Sequence, residues 1–79
     1  MTLKEMNIPL TIKSQAAELV RSIEMADGLL ELATAGGKTE GFLVGLKCVN
    51  ALSVEDTATL EAIFDQAMER KMAETRKQR

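Results

Sequence analysis

The stretch Thr11–Ala35, TIKSQAAELVRSIEMADGLLELATA, decides how this chain folds. Within it Ile12, Ala16, Leu19, Ile23, Ala26, Leu30 and Ala33 recur at spacings of 4, 3, 4, 3, 4 and 3. A helix turns once every 3.6 residues, so this alternation keeps one apolar edge on one side of the rod. Counted without a break, it predicts one helix running to about Ala35, its seam roughly 33 Å long at 1.5 Å per residue. Asp27-Gly28 interrupts the stretch with a residue that costs a helix interior about 1 kcal/mol relative to Ala. The register of Leu30 and Ala33 with the residues before Gly28 favours continuity. Val20 and Leu29 flank the seam and widen it beyond a two-stranded coiled coil, toward a bundle core.

Upstream, residues 1–10 (MTLKEMNIPL) carry Pro9 and no helical period. They read as an extended arm whose Met6, Ile8 and Leu10 alternate as a short strand or lie on the bundle. Thr11 or Ser14 supplies the oxygen that caps the long helix. Downstream, Gly36-Gly37 offers positive φ at little steric cost and predicts its end. Thr39 then caps a shorter helix through about Asn50, with Phe42, Leu46 and Val49 on one face. Gly41 and Gly45 lie four apart on it, weakening the helix while leaving room for a neighbouring backbone. Ser53 is the clearest start signal, followed by Glu55 and Asp56 in a first turn where negative charge suits the helix dipole. Leu60, Phe64, Met68 and Met72, with Ile63 and Ala67 alongside, carry a third helix to about Glu74.

The expectation is therefore an all-α fold. It is a three-helix bundle with one long N-terminal helix, a short middle helix and a long C-terminal helix, preceded by the extended arm. Residues 11–74 form a single helical domain, and residues 75–79 a basic, frayed tail.

Composition narrows the function classes. Of the 79 residues 46% are hydrophobic, enough for a folded globule, yet Phe42 and Phe64 are the only aromatics. A chain this small rarely gains more than about 3–5 kcal/mol from one core without a staple. Cys48 is the only cysteine and there is no histidine, which leaves oligomerisation or packing on a larger host. No apolar run reaches the roughly 20 residues of a membrane span, and Lys4 and Glu5 do not begin a secretory signal. With an unpaired cysteine, that points to the cytoplasm. Net charge is −2 but divided: residues 1–68 hold five basic and ten acidic side chains, residues 69–79 five basic and two acidic.

No motif carries chemistry. Gly37-Lys38-Thr39 matches the end of a phosphate-binding loop, but the pattern requires glycine at position 32, which is Leu. Cys48 has no imidazole base, so a buried structural thiol is the favoured reading. No catalytic residue, metal ligand or cofactor site is assigned, and an enzyme is not expected. Glu61, Asp65 and Glu69 form a ridge at i, i+4, i+8, either a solvated face or a docking strip for a basic partner. Arg70, Lys71, Arg76, Lys77 and Arg79 offer phosphate contacts, although no aromatic stands ready to stack bases.

Gly41-Phe42-Leu43-Val44-Gly45-Leu46, followed by Ala51-Leu52-Ser53-Val54-Glu55-Asp56 and Leu60, resembles helix–turn–helix hairpins in small accessory proteins of bacteria and their bacteriophages. The likeness is local, over about residues 41–64, and implies a regulator or inhibitor that acts by binding a larger host protein complex. It implies no catalytic residues. Joined to the long seam, the expectation is a protein-protein interaction module, a homodimer through Ile12, Ala16, Leu19, Ile23, Ala26, Leu30 and Ala33, with partner docking at Glu61, Asp65 and Glu69. The alternative is a nucleic-acid-binding regulator using the basic end of the last helix.

Overall fold

The computed structural model describes residues 2–77, and over that span three helices pack against one another: α1 (Leu10–Glu24), α2 (Leu29–Cys48) and α3 (Val54–Lys77). The three-helix bundle and its long C-terminal helix follow the reading of the sequence. The division between the first two helices does not.

The long rod is broken at Asp27-Gly28. Met25 N–H closes the last turn of α1 on Arg21 O at 2.9 Å, and Gly28 then takes φ +95° and starts α2. Only glycine enters that region without a steric penalty, so the residue tolerated as a kink is the one that turns the chain around. Gly28 O accepts the first bond of α2 from Leu32 N–H at 3.1 Å, and Glu31 Oε1 accepts from Asp27 N–H at 3.2 Å. The middle helix is thus 20 residues long, longer than the 15 of α1.

The 4–3 count misled because it ran through this reversal. Ile12, Ala16, Leu19, Ile23 and Ala26 all turn into the chain's own core. Beyond the break the core residues are Leu32 and Ala35, two positions on from Leu30 and Ala33, which are exposed. The seven residues do not share an edge, and the argument for a dimer built on helix one loses its premise.

Gly36-Gly37, expected as a stop, lies inside α2. Both keep a negative φ and continue the helix; Gly36 sits under the Met68 side chain, whose Cε would stand 3.0 Å from a β-carbon placed there. Thr39, expected as a cap, is buried in mid-helix and donates its hydroxyl to Gly36 O at 2.8 Å. The stop comes at Asn50, a non-glycine residue at φ +52°, where Ala51 N–H reaches Leu46 O at 3.0 Å and Asn50 N–H reaches Lys47 O at 3.3 Å. That pair of bonds is the Schellman arrangement, and asparagine is the residue after glycine that best tolerates it.

α3 starts as read. Ser53 Oγ accepts from Asp56 N–H at 3.0 Å, and Ser53 O accepts from Thr57 N–H at 2.9 Å. At the other end α1 begins earlier than expected, because Pro9 O already accepts from Lys13 N–H at 3.0 Å; Thr11 and Ser14 fall inside the helix. The arm contains a single 3-10 turn, Leu3–Glu5, and the described residues include no strand. Thr2 N–H donates to Glu5 Oε1 at 2.7 Å, and this donation, reinforced by the Thr2 hydroxyl, holds the Glu5 carboxyl below its usual range.

Met6 anchors the arm. It is 3% exposed and joins Ala16, Leu43, Leu46, Leu60 and Phe64 in the larger core cluster, with Phe42 meeting Phe64 edge-on at 6.3 Å. A second cluster of Ile23, Ala26, Leu32, Ala35 and Ala67 closes the other end. The core of so small a bundle reaches across all three helices and the arm.

Candidate docking surfaces

The helices leave open grooves between them. One, of about 530 Å³, runs between α2 and α3. It is lined by Ala33, Gly36, Gly37 and Glu40 of α2 and by Glu61, Asp65 and Met68 of α3, over the core residues Leu43 and Phe64, which are 7% and 1% exposed. A second, about 350 Å³, lies between the end of α1 and α2 and is lined by Met25, Glu31 and Lys38 among others. A third, about 390 Å³, sits under the α2–α3 turn beside Asn50, Leu52 and Val54.

The ridge expected on α3 is present: Glu61, Asp65 and Glu69 are exposed on successive turns. Glu61 and Asp65 line the α2–α3 groove, whereas Glu69 does not. Glu61 Oε1 stands 3.9 Å from Lys47 Nζ, with both side chains about half exposed, so the pairing is a loose surface contact.

The described basic residues of the tail share the C-terminal part of α3 but differ in their contacts. Lys71 is committed inward, donating through Nζ to Glu24 O at 2.8 Å, and with Arg70 it lines a small groove that also holds Glu24 and Glu74. Arg76 and Lys77 are exposed on the last turn of α3. Arg79 lies outside the described residues.

Cys48 is exposed rather than buried. The reason is register: with α2 starting at Leu29, Thr39, Leu43 and Leu46 turn inward and Cys48 turns out. For the same reason Val49, expected beside Phe42 and Leu46 in the core, is 73% exposed. Among the described residues no three His, Cys, Asp or Glu side chains are placed to hold a metal ion, and no buried side-chain polar atom lacks a hydrogen-bond partner. No helix among them is long and apolar enough to cross a membrane.

What the sequence reading missed is the outer face of α2. Leu30, Ala33, Gly37, Gly41 and Val44 are all exposed on it. A β-carbon built on Gly37, Gly41 or Gly45 meets nothing within 4 Å, so the close approach expected at the last two does not occur within the chain. The signal was available in principle: from Leu29 to Cys48 the charged residues are only Glu31, Lys38, Glu40 and Lys47. A helix that is apolar on nearly every side is one that expects burial. Comparison of the chain with family models, curated proteins and solved structures returned no match.

Proposed function

We propose that this chain is a small protein-protein interaction module that works by contact. In the form favoured by its local resemblance, it is a regulator or inhibitor of phage or prophage type that binds a larger host protein complex. The observation that supports this reading is the apolar surface. Seven large apolar side chains are more than half exposed: Leu10, Met25, Leu29, Leu30, Val44, Val49 and Val54. Scattered single apolar residues are ordinary, but here they gather by topology. Met25, Leu29 and Leu30 flank the α1–α2 turn, and Val49 and Val54 flank the α2–α3 turn at the opposite end.

The nucleic-acid reading has less to stand on. Among the described residues, Lys71 is engaged with the Glu24 carbonyl, and Glu24 and Glu74 stand beside Arg70 and Lys71, which weakens the pull of this helix end on a phosphate backbone.

Affinity purification of the tagged full chain from its native host, alongside a Leu30→Ser/Val54→Ser double variant, tests the proposal. A defined complex recovered with the wild type and lost with the folded variant supports it. A wild-type chain that recovers the same proteins as its variant, and sediments as a lone monomer at micromolar concentration, argues against contact as its role.

A further inference from the structure

We infer that the arm, residues 2–8, is an exchangeable strap: it leaves its seat between α1 and α3 and takes the same seat on a second copy, joining two chains through their arms. This goes beyond the contact-driven reading, which concerns the exposed apolar side chains at the two ends of the bundle.

The arm is built as a separate unit. Its backbone bonds close on itself, Glu5 N–H on Thr2 O at 3.1 Å and Met6 N–H on Leu3 O at 3.2 Å, with Glu5 Oε1 accepting from Thr2 N–H. Among the described residues one hydrogen bond ties residues 2–8 to the helices, from Lys13 Nζ to Lys4 O at 2.9 Å, and it is exposed. The arm therefore moves without opening a helix. Its remaining attachment is apolar: Met6 is buried with Ala16, Leu60 and Phe64, and Leu3 and Ile8 pack half-buried on the same cluster. Unseating Met6 uncovers those core residues, so an empty seat is costly and another segment must fill it. Identical copies carry identical arms, and a partner's arm restores every contact that the resident one gives up.

The hinge is short and extended. Met6 stands at φ −72°, ψ 135° and Pro9 at φ −52°, ψ 138°, with Asn7 exposed between them. Pro9 holds Ile8 away from the helical region, so the arm does not wind onto α1 as an added turn. A hinge this short gives the arm little slack to fold back on its own chain, the condition under which segments swap.

The seat also has a vacancy. Past Thr2 and Leu3 the groove between α1 and α3 continues as a cavity of about 340 Å³ over the half-buried Val20 and Ile63, bordered by Gln66 and Arg70. An incoming arm meets apolar surface there before the resident one leaves.

The test detects an arm lying in another chain. One sample carries methyl-labelled methionine and Cys48→Ser. The other is unlabelled and bears a nitroxide on Cys48, an exposed thiol two residues beyond Leu46 of the Met6 cluster. A chain's own arm is present at an effective concentration of about millimolar, so the mixture is brought to equilibrium in that range. The Met6 methyl should lose intensity as spin-labelled chain is added, while Met72, near the far end of α3, keeps its own. Sedimentation should show a species of twice the mass. Inserting two glycines between Asn7 and Ile8 gives the arm slack to reach its own seat, and should lower the dimer fraction at least about tenfold with helical content unchanged. A Met6 methyl untouched at millimolar chain overturns the exchange. A dimer with Met6 unaffected, or with Met6 and Met72 broadened equally, means that the copies meet through another face, and overturns it too. So does a dimer that the glycine insertion leaves at full strength.

Discussion

Lys71 Nζ donates to the carbonyl oxygen of Glu24 at 2.8 Å, joining two residues 47 positions apart in the chain. Glu24 is the last residue of α1, where carbonyls lose their helical partners and carry the negative end of the helix dipole. One ammonium thus caps α1 and ties α3 to it beside the reversal at Gly28. Lys71→Met keeps the aliphatic stem and removes the donor. It should cost about 0.5–1.5 kcal/mol, the usual net worth of such a bond. Arg76→Met, exposed on the last turn, should stay within about 0.5 kcal/mol. Urea unfolding of the two variants makes the comparison, and equal midpoints would show that the Lys71 contact contributes nothing.

Gly28 and Gly37 respond oppositely to the same substitution. Gly28→Ala places a β-carbon on a backbone at φ +95° and should destabilise by about 1–2 kcal/mol, although nothing crowds the site. Gly37→Ala, helical and open, should stabilise by about 0.5–1 kcal/mol. Chemical denaturation decides both, and stabilisation by Gly28→Ala would mean that the α1–α2 reversal is wrongly placed.

That pair also explains what could and could not be read from the sequence. Ser53 and the Leu60, Phe64, Ala67 face were legible because cap, charge and period agree locally. Gly28 against Gly36-Gly37 was not, because a glycine's sequence neighbours do not state its φ. The choice between a kink at one and a stop at the other is settled by whether Leu32 and Ala35 can reach Ala67, a contact between distant parts of the chain. Once the stop was misplaced, the exposure of Leu30, Val49 and Cys48 was hidden with it. The acidic ridge on α3 was visible from spacing alone. That Glu40 lines a groove with Glu61 and Asp65 was not, since it depends on how α2 is rotated against α3.

Leu60 is fully enclosed and Leu30 is 83% exposed, so the two leucines separate core from surface. Leu60→Ala should cost about 2–5 kcal/mol, comparable to the whole stability expected of a bundle this size, and leave it largely unfolded at 37 °C. Leu30→Ala should be close to neutral, within about 0.5 kcal/mol. Circular dichroism melts distinguish them. A Leu30→Ala variant as damaged as Leu60→Ala would place Leu30 in an interface and restore the self-association first expected of the seam.

The arm should loosen in acid. The Glu5 carboxyl is held below its ordinary value of 4.5 by donation from Thr2, backbone first and hydroxyl second. A carboxylate whose folded pKa is depressed adds stability above its unfolded pKa and loses it as pH falls through the folded value. The loss should therefore begin below about pH 4.5 and continue as Glu5 protonates. Because Met6 follows directly and is 3% exposed in the core, its methyl resonance reports whether the arm has left its seat. Between pH 6 and pH 3 the Met6 methyl should shift toward its random-coil position before the bundle melts as a whole. Glu5→Gln should show part of that shift already at neutral pH and little further change on acidification. Should the Met6 methyl follow the same acid transition in both proteins, Glu5 has no part in seating the arm, and Met6 is held by the core alone.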